Sequence, residues 1–203
     1  MTTIALFIAS NDSMEKLLTE MNCIMCGLCV SDCTILEVDD TFIGPAALAK
    51  ASRFVYDPRD DKTEERLKFL NDEQGGIWDC TRCMQCVEVC PKDVSPMDRI
   101  MDLRETAIEI GAKKTHGYDH TNSFEKSVVA HGRLDESRLA LESAGIFNLP
   151  RLLDLIPVGL RALIKGKLPP LFPHKAEDNK KIKDIAKKIK EICLLYTSPS
   201  PRD

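Results

Sequence analysis

Apolar positions recur at helical spacing in several stretches of the chain, and nowhere do they alternate as a half-buried strand would require. Residues 12–22 (Asp-Ser-Met-Glu-Lys-Leu-Leu-Thr-Glu-Met-Asn) predict a short helix with Asp12 or Ser13 as its N-cap. Pro45 stands where a first helical residue belongs, and Leu48, Ala51 and Val55 then carry a helix to about Tyr56 before Pro58 stops it. A charged segment from Asp61 to about Asn71 turns Leu67 and Leu70 inward, and Gly75-Gly76 turn the chain into Trp78. Met97 to Ile110 repeats Ile100, Leu103, Ala107 and Ile110 as one stripe, with Gly111 as the C-cap.

Beyond His116 the pattern loosens. Ser123 to His131 and Asp135 to Ala144 predict two short helices. Leu149 to Pro173 is rich in Leu and Ile, but Pro150, Pro157, Pro169 and Pro170 argue against one long helix. Leu152, Leu153, Ile156, Leu160, Leu163 and Ile164 are expected to pack on the core or on a partner, with a membrane surface as the lesser reading. Asp178 to Ile192 predicts a lysine-rich helix with Ile182, Ile185 and Ile189 on one face; its ordinary reading is a solvated helix with an apolar seam, and headgroup binding is the minority one.

Between the helices lie two cysteine runs, Cys23-x2-Cys26-x2-Cys29-x3-Cys33 and Cys80-x2-Cys83-x2-Cys86-x3-Cys90-Pro91. This is the bacterial-ferredoxin spacing: three thiolates on a tight turn grip one iron–sulfur cluster, and the fourth ligates the other. One [4Fe–4S] cluster is then expected on Cys23, Cys26, Cys29 and Cys90, and a second on Cys80, Cys83, Cys86 and Cys33. A zinc-bound structural module also uses C-x2-C pairs, but tetrahedral zinc closes with four ligands and leaves the second run idle. Disulfides suit small secreted scaffolds, and Thr2 to Ala9 lacks the basic start of a secretion signal.

Composition narrows the partners. A net charge of −4 argues against nucleic acid, and no apolar run approaches the roughly 18–20 residues of a membrane span. Outer-sphere electron transfer makes no substrate bond, so no catalytic residue is expected. His116, His120, His131 and His174 lie in polar stretches without ligand spacing and are expected to be satisfied surface or interface groups.

Residues 193–203 (Cys-Leu-Leu-Tyr-Thr-Ser-Pro-Ser-Pro-Arg-Asp) read as a translated sequencing adapter. The expected organisation is a leader over 1–11, a dicluster domain over 12–115, a helical extension over 116–192 for partner docking, and the artefact over 193–203. The fold class is all-α: an α-helical ferredoxin-like dicluster domain with a helical C-terminal extension.

From Thr41 to Asp60, together with Trp78-Asp-Cys80 and Val89-Cys-Pro-Lys92, the chain resembles the C-terminal domain of the iron–sulfur subunit of succinate dehydrogenase and fumarate reductase, over about residues 20–110. The resemblance implies electron relay between a flavoprotein subunit and a quinone site. It also implies a cytoplasmic place at the inner membrane, held there through partner subunits, with indirect membrane contact. Three features depart from the family. Cys83 stands where a non-cysteine usually leaves a three-iron cluster, so a [4Fe–4S] cluster is implied. Thr34 to Asp39 holds no Trp and position 81 is Thr, which removes the usual quinone-site residues. No plant-type cysteine spacing precedes Cys23, so a [2Fe–2S] cluster belongs to the protein only if an upstream domain is missing. The first two departures are similar to a variant type of the complex whose partner resembles the B-type component of heterodisulfide reductase. They are similar also to the C-type component of that enzyme. A heterodisulfide reductase C-type relay to a B-type partner is the alternative function.

Overall fold

The computed structural model describes residues 9–72, 74–111, 115–145, 148–168 and 175–196. Every regular element among them is a helix, and they divide into two units, 1–115 and 116–203. His174 lies outside the described residues, as do residues 1–8 of the expected leader and residues 197–203 of the expected artefact.

The first unit is built from α1 (Asn11–Met21), α2 (Leu28–Ser31), α3 (Gly44–Val55), α4 (Thr63–Leu70), α5 (Gln85–Glu88) and α6 (Pro96–Glu109). The long helices α3 and α6 pack on each other and form its centre. On α3 the inward positions are Pro45, Leu48, Ala49, Ser52 and Val55. Ala51 of the expected stripe is only half-buried, because the burying face runs through Ala49 and Ser52 instead. On α6 the fully buried positions are Ile100, Leu103 and Ala107, and Ile110 at the helix end is exposed. The expected stripe therefore stops one turn early, where Gly111 takes a left-handed conformation (φ 78°) and donates its N–H to the Ile108 carbonyl at 3.0 Å. Leu17, Leu67, Ile77 and Val94 close the core from the flanking segments.

Two polar bridges lock this packing. Glu20, 1% exposed at the end of α1, accepts a hydrogen bond from the Ser52 hydroxyl (2.9 Å) and pairs with the Arg99 guanidinium (3.5 Å). The carboxylate thereby ties α1 to both central helices, three residues before Cys23. At the other end of α3, the Tyr56 and Thr106 hydroxyls share a 2.7 Å hydrogen bond, and burial pushes the phenol up to about 12. Gly75 and Gly76 permit the turn toward the second cysteine run. A Cβ on Gly75 would lie 2.4 Å from the Thr41 carbonyl oxygen, and one on Gly76 would lie 2.4 Å from that of Leu70.

The second unit comprises α7 (His116–His131), α8 (Glu136–Ala144), α9 (Leu149–Ile164) and α10 (Asn179–Tyr196). Helix α7 begins at His116, not Ser123. The weak formers Gly117 and Asn122 are held in it by packing against α8, where Ser123 donates to Glu142 (2.7 Å) and His120 shares a hydrogen bond with Ser143 (3.0 Å). Asp135 caps α8 by accepting from the Arg138 N–H at 3.2 Å. Helix α9 runs straight through Pro157, which the expected interruptions did not allow for; Pro150 sits harmlessly in the first turn, and Pro157 removes a single N–H from the ladder. Of the apolar positions expected to pack on the core or a partner, Leu152 is half-buried and Leu153, Ile156, Leu160, Leu163 and Ile164 are exposed. Helix α10 continues past Ile192 to Tyr196.

Leu103→Ala is expected to lower the unfolding free energy by about 2–5 kcal/mol, since the side chain is fully buried between α6 and α3. Chemical denaturation of the variant beside the parent checks this.

Candidate iron–sulfur site

The two cysteine runs adopt the same local shape. Each position of one has its equivalent 57 residues away in the other, and the backbone follows suit. Met25 and Gly27 (φ 60° and 78°) match Arg82 and Met84 (φ 60° and 70°), one left-handed residue on each side of the second cysteine. Each run then enters a four-residue helix, α2 or α5, whose second residue is the third cysteine. Alternating left-handed residues curl each loop inward. For a glycine this costs nothing, whereas Met25, Arg82 and Met84 hold it against steric preference, and strain of this kind clusters at functional sites.

The chain brings the eight thiols together around two cavities. The first, about 200 Å³, is lined by Cys23, Cys26 and Cys29 from one run and Cys90 from the other, with Ala49 and Val94 as walls. The second, about 20 Å³, is lined by Cys80, Cys83 and Cys86 with Cys33, against Phe42 and Ile100. All eight are free thiols. Among the described residues no group of three or more His, Cys, Asp or Glu is arranged to hold a single metal ion. Each four-thiol set instead surrounds a space. Four soft sulfurs against apolar walls are the donor chemistry that iron–sulfur clusters use, though only the first space is much larger than a single water.

Electrostatics distinguishes the positions within each run. Cys86 is buried, and desolvation beside Cys80 pushes its thiol up to about 12. Cys29, its equivalent, is raised for the same reason, with Cys23 as the nearest like charge. Cys83 is exposed and lowered, first by the Gln85 N–H and then by the Thr34 hydroxyl, which donates to its sulfur at 3.6 Å. The Val94 N–H donates to the Cys90 sulfur at 3.4 Å. Thiolates in such pockets are stabilised by N–H and O–H donors and by bound metal rather than by water.

Arg104, which the spacing of α6 marks only as a polar position, holds the second loop. It is 4% exposed. Its Nε donates to the Ile77 carbonyl and its Nη2 to the Cys80 carbonyl, both at 2.7 Å, while the guanidinium lies 5.1 Å from the Trp78 ring centroid. Burial draws its pKa down to about 10, which still leaves it cationic at neutral pH. Glu20, by contrast, bonds Ser52 and Arg99 and holds the end of α1 rather than the first run itself. Of the histidines, His120 is bonded to Ser143 and stacked near His116 (6.4 Å), and the Nδ1 of His131 is buried without a partner among the described residues; none lines either thiol cavity.

Residues 21–94 match the family model of a 4Fe-4S dicluster domain. The first unit carries an iron–sulfur dicluster domain. Over 182 residues, 89% of its length, the chain is 28% identical to the 8-methylmenaquinol:fumarate reductase iron-sulfur subunit of Wolinella succinogenes, of which it covers 55%. It is 47% identical to the fumarate reductase iron-sulfur subunit of Escherichia coli over 74 residues, 36% of this chain and 30% of that one. Against the corresponding subunit of Mycobacterium tuberculosis it is 38% identical over 92 residues, 45% of this chain and 37% of that one. The chain thus spans about half the length of the first relative and about a third of the others. Over the dicluster region the chain is similar to iron–sulfur subunits of fumarate reductases. Of these three matches, the first is long enough to reach well into the second unit.

Arg104→Met is expected to orphan two carbonyls at about 1–3 kcal/mol each and to loosen the second loop while sparing the first. In the metal-free chain, alkylation followed by mass spectrometry should show Cys80 reacting faster and Cys23 unchanged. Arg104→Lys should recover only part, because an ammonium does not reproduce the planar fork.

Proposed function

We propose that this chain relays electrons through two [4Fe–4S] clusters as one component of a succinate dehydrogenase/fumarate reductase-like complex. The observation that carries the reading is the grouping of the thiols: three from one run and one from the other line each of two cavities. Cys23, Cys26, Cys29 and Cys90 would hold one cluster, and Cys80, Cys83, Cys86 and Cys33 the other. When bound, the clusters supply one-electron redox chemistry. The protein's own part is to bury Cys86 and half-bury Cys29, to aim N–H and O–H donors at sulfur, and to hold the second loop through Arg104. At the first cavity, four thiols around about 200 Å³ suit a polynuclear cluster better than a single zinc ion, which draws its ligands to a point.

A flavoprotein subunit is the partner this reading calls for on one side. A heterodisulfide reductase B-like protein is a candidate for the other, given the departures at Cys83, Thr34 and Thr81. The named relatives are iron–sulfur subunits of fumarate reductases, so the reading follows them rather than the heterodisulfide reductase C-type relay to a B-type partner. A [2Fe–2S] cluster enters only if the full protein has a further domain upstream.

Anaerobically purified chain is expected to contain about eight iron and eight acid-labile sulfide. Cys90→Ser should damage the cluster of the first run although the residue belongs to the second. Cys83→Ser should turn the other cluster into a three-iron form or remove it, leaving its neighbour intact. Electron paramagnetic resonance of the reduced and oxidised variants checks both, and damage by Cys90→Ser confined to the second-run cluster would contradict the crossed ligand sets.

A further inference from the structure

Among the described residues, one apolar side of helix α9 is partly covered and the side adjoining it is exposed. Leu152, Leu155 and Ala162 are half-buried and form its inward side. Leu149, Leu153, Ile156, Leu160, Leu163 and Ile164 fall within an arc of about 100° that begins beside Leu152. All six are exposed, from 51% at Ile156 to 80% at Ile164. A contiguous apolar stripe of this kind marks an interaction site.

Charge indicates what would cover it. The polar side of α9 and the turn that follows carry Arg151, Arg161, Lys165 and Lys167 against one acidic residue, Asp154. No charge interrupts the stripe itself, and cations gather beside and beyond its C-terminal end. At 16 residues the helix is about 24 Å long, and no described helix is long and apolar enough to cross a membrane. An apolar stripe flanked by cations on a helix too short to span is the arrangement of a helix lying in the plane of an anionic lipid surface.

We propose that α9 docks this chain directly on an anionic membrane, its six-residue stripe sunk among the acyl chains and Arg161, Lys165 and Lys167 on the headgroups. This goes beyond the electron-relay reading, under which membrane contact comes through partner proteins, and does not depend on the clusters.

The test is co-sedimentation of the full, anaerobically purified chain with vesicles of phosphatidylcholine alone or mixed equally with phosphatidylglycerol. Binding to the mixed vesicles is expected, weakening with salt and at least about tenfold poorer on phosphatidylcholine alone. Ile156→Asp/Leu160→Asp should abolish binding, and Arg161→Glu/Lys165→Glu should weaken it about tenfold or more. The replaced side chains are exposed, so the circular dichroism and visible absorbance of both variants should match the parent and exclude misfolding as the cause. Three results would overturn the proposal: no binding to the mixed vesicles, equal binding by the parent and the Asp double variant, or self-association of the parent that the Asp variant abolishes. The last would assign the stripe to a second copy of the chain.

Discussion

The packing of α3 against α6 is the constraint on which the thiol geometry depends. Cysteine runs 57 residues apart reach neighbouring cavities only because these two helices bring their loops to one place. Ala49 of α3 and Pro96 of α6 face the first cavity; Pro45 of α3 and Ile100 of α6 face the second. The apolar contact supplies the bulk of the stabilisation. The buried charges supply direction, since Glu20 ties the end of α1 to α3 and α6 and Arg104 bonds the Cys80 carbonyl. Each is a charge within a largely apolar unit, met by hydrogen bonds at Arg104 and only in part at Glu20, whose Oε2 has no partner among the described residues.

The loops contribute shape on their own account. Left-handed residues on both sides of Cys26 and Cys83 curl each run around its cavity, and non-glycine residues occupy three of those four positions. The folded core holds them there. The second thiol of each run stays at the surface, Cys26 and Cys83 being exposed, while the third is half-buried in the first run (Cys29) and buried in the second (Cys86). Charge moving through such a site would enter and leave most readily on the side of the second thiols, where the least protein intervenes.

Periodicity makes the long helices of the first unit legible, because Leu48, Val55, Ile100 and Leu103 are strong apolar markers at helical spacing. Spacing also names the eight thiols. It does not announce Arg104 or Glu20, whose partners come from a non-periodic loop and from other helices. In the second unit less is legible, for identifiable reasons. The start of α7 is composed of weak helix formers that only the contact with α8 explains, and α9 keeps its ladder through Pro157 because one missing N–H at an exposed position costs less than breaking the helix. The outward stripe on α9 obeys the same periodicity as a core face, so pattern alone does not distinguish a buried helix from one that awaits a surface.

Native mass spectrometry of the anaerobically purified chain tests the central claim most directly. The account predicts a mass increment equal to two [4Fe–4S] clusters on the intact chain, with no intermolecular bridge. A chain carrying zinc without sulfide, or one whose clusters form only between two copies, would contradict it.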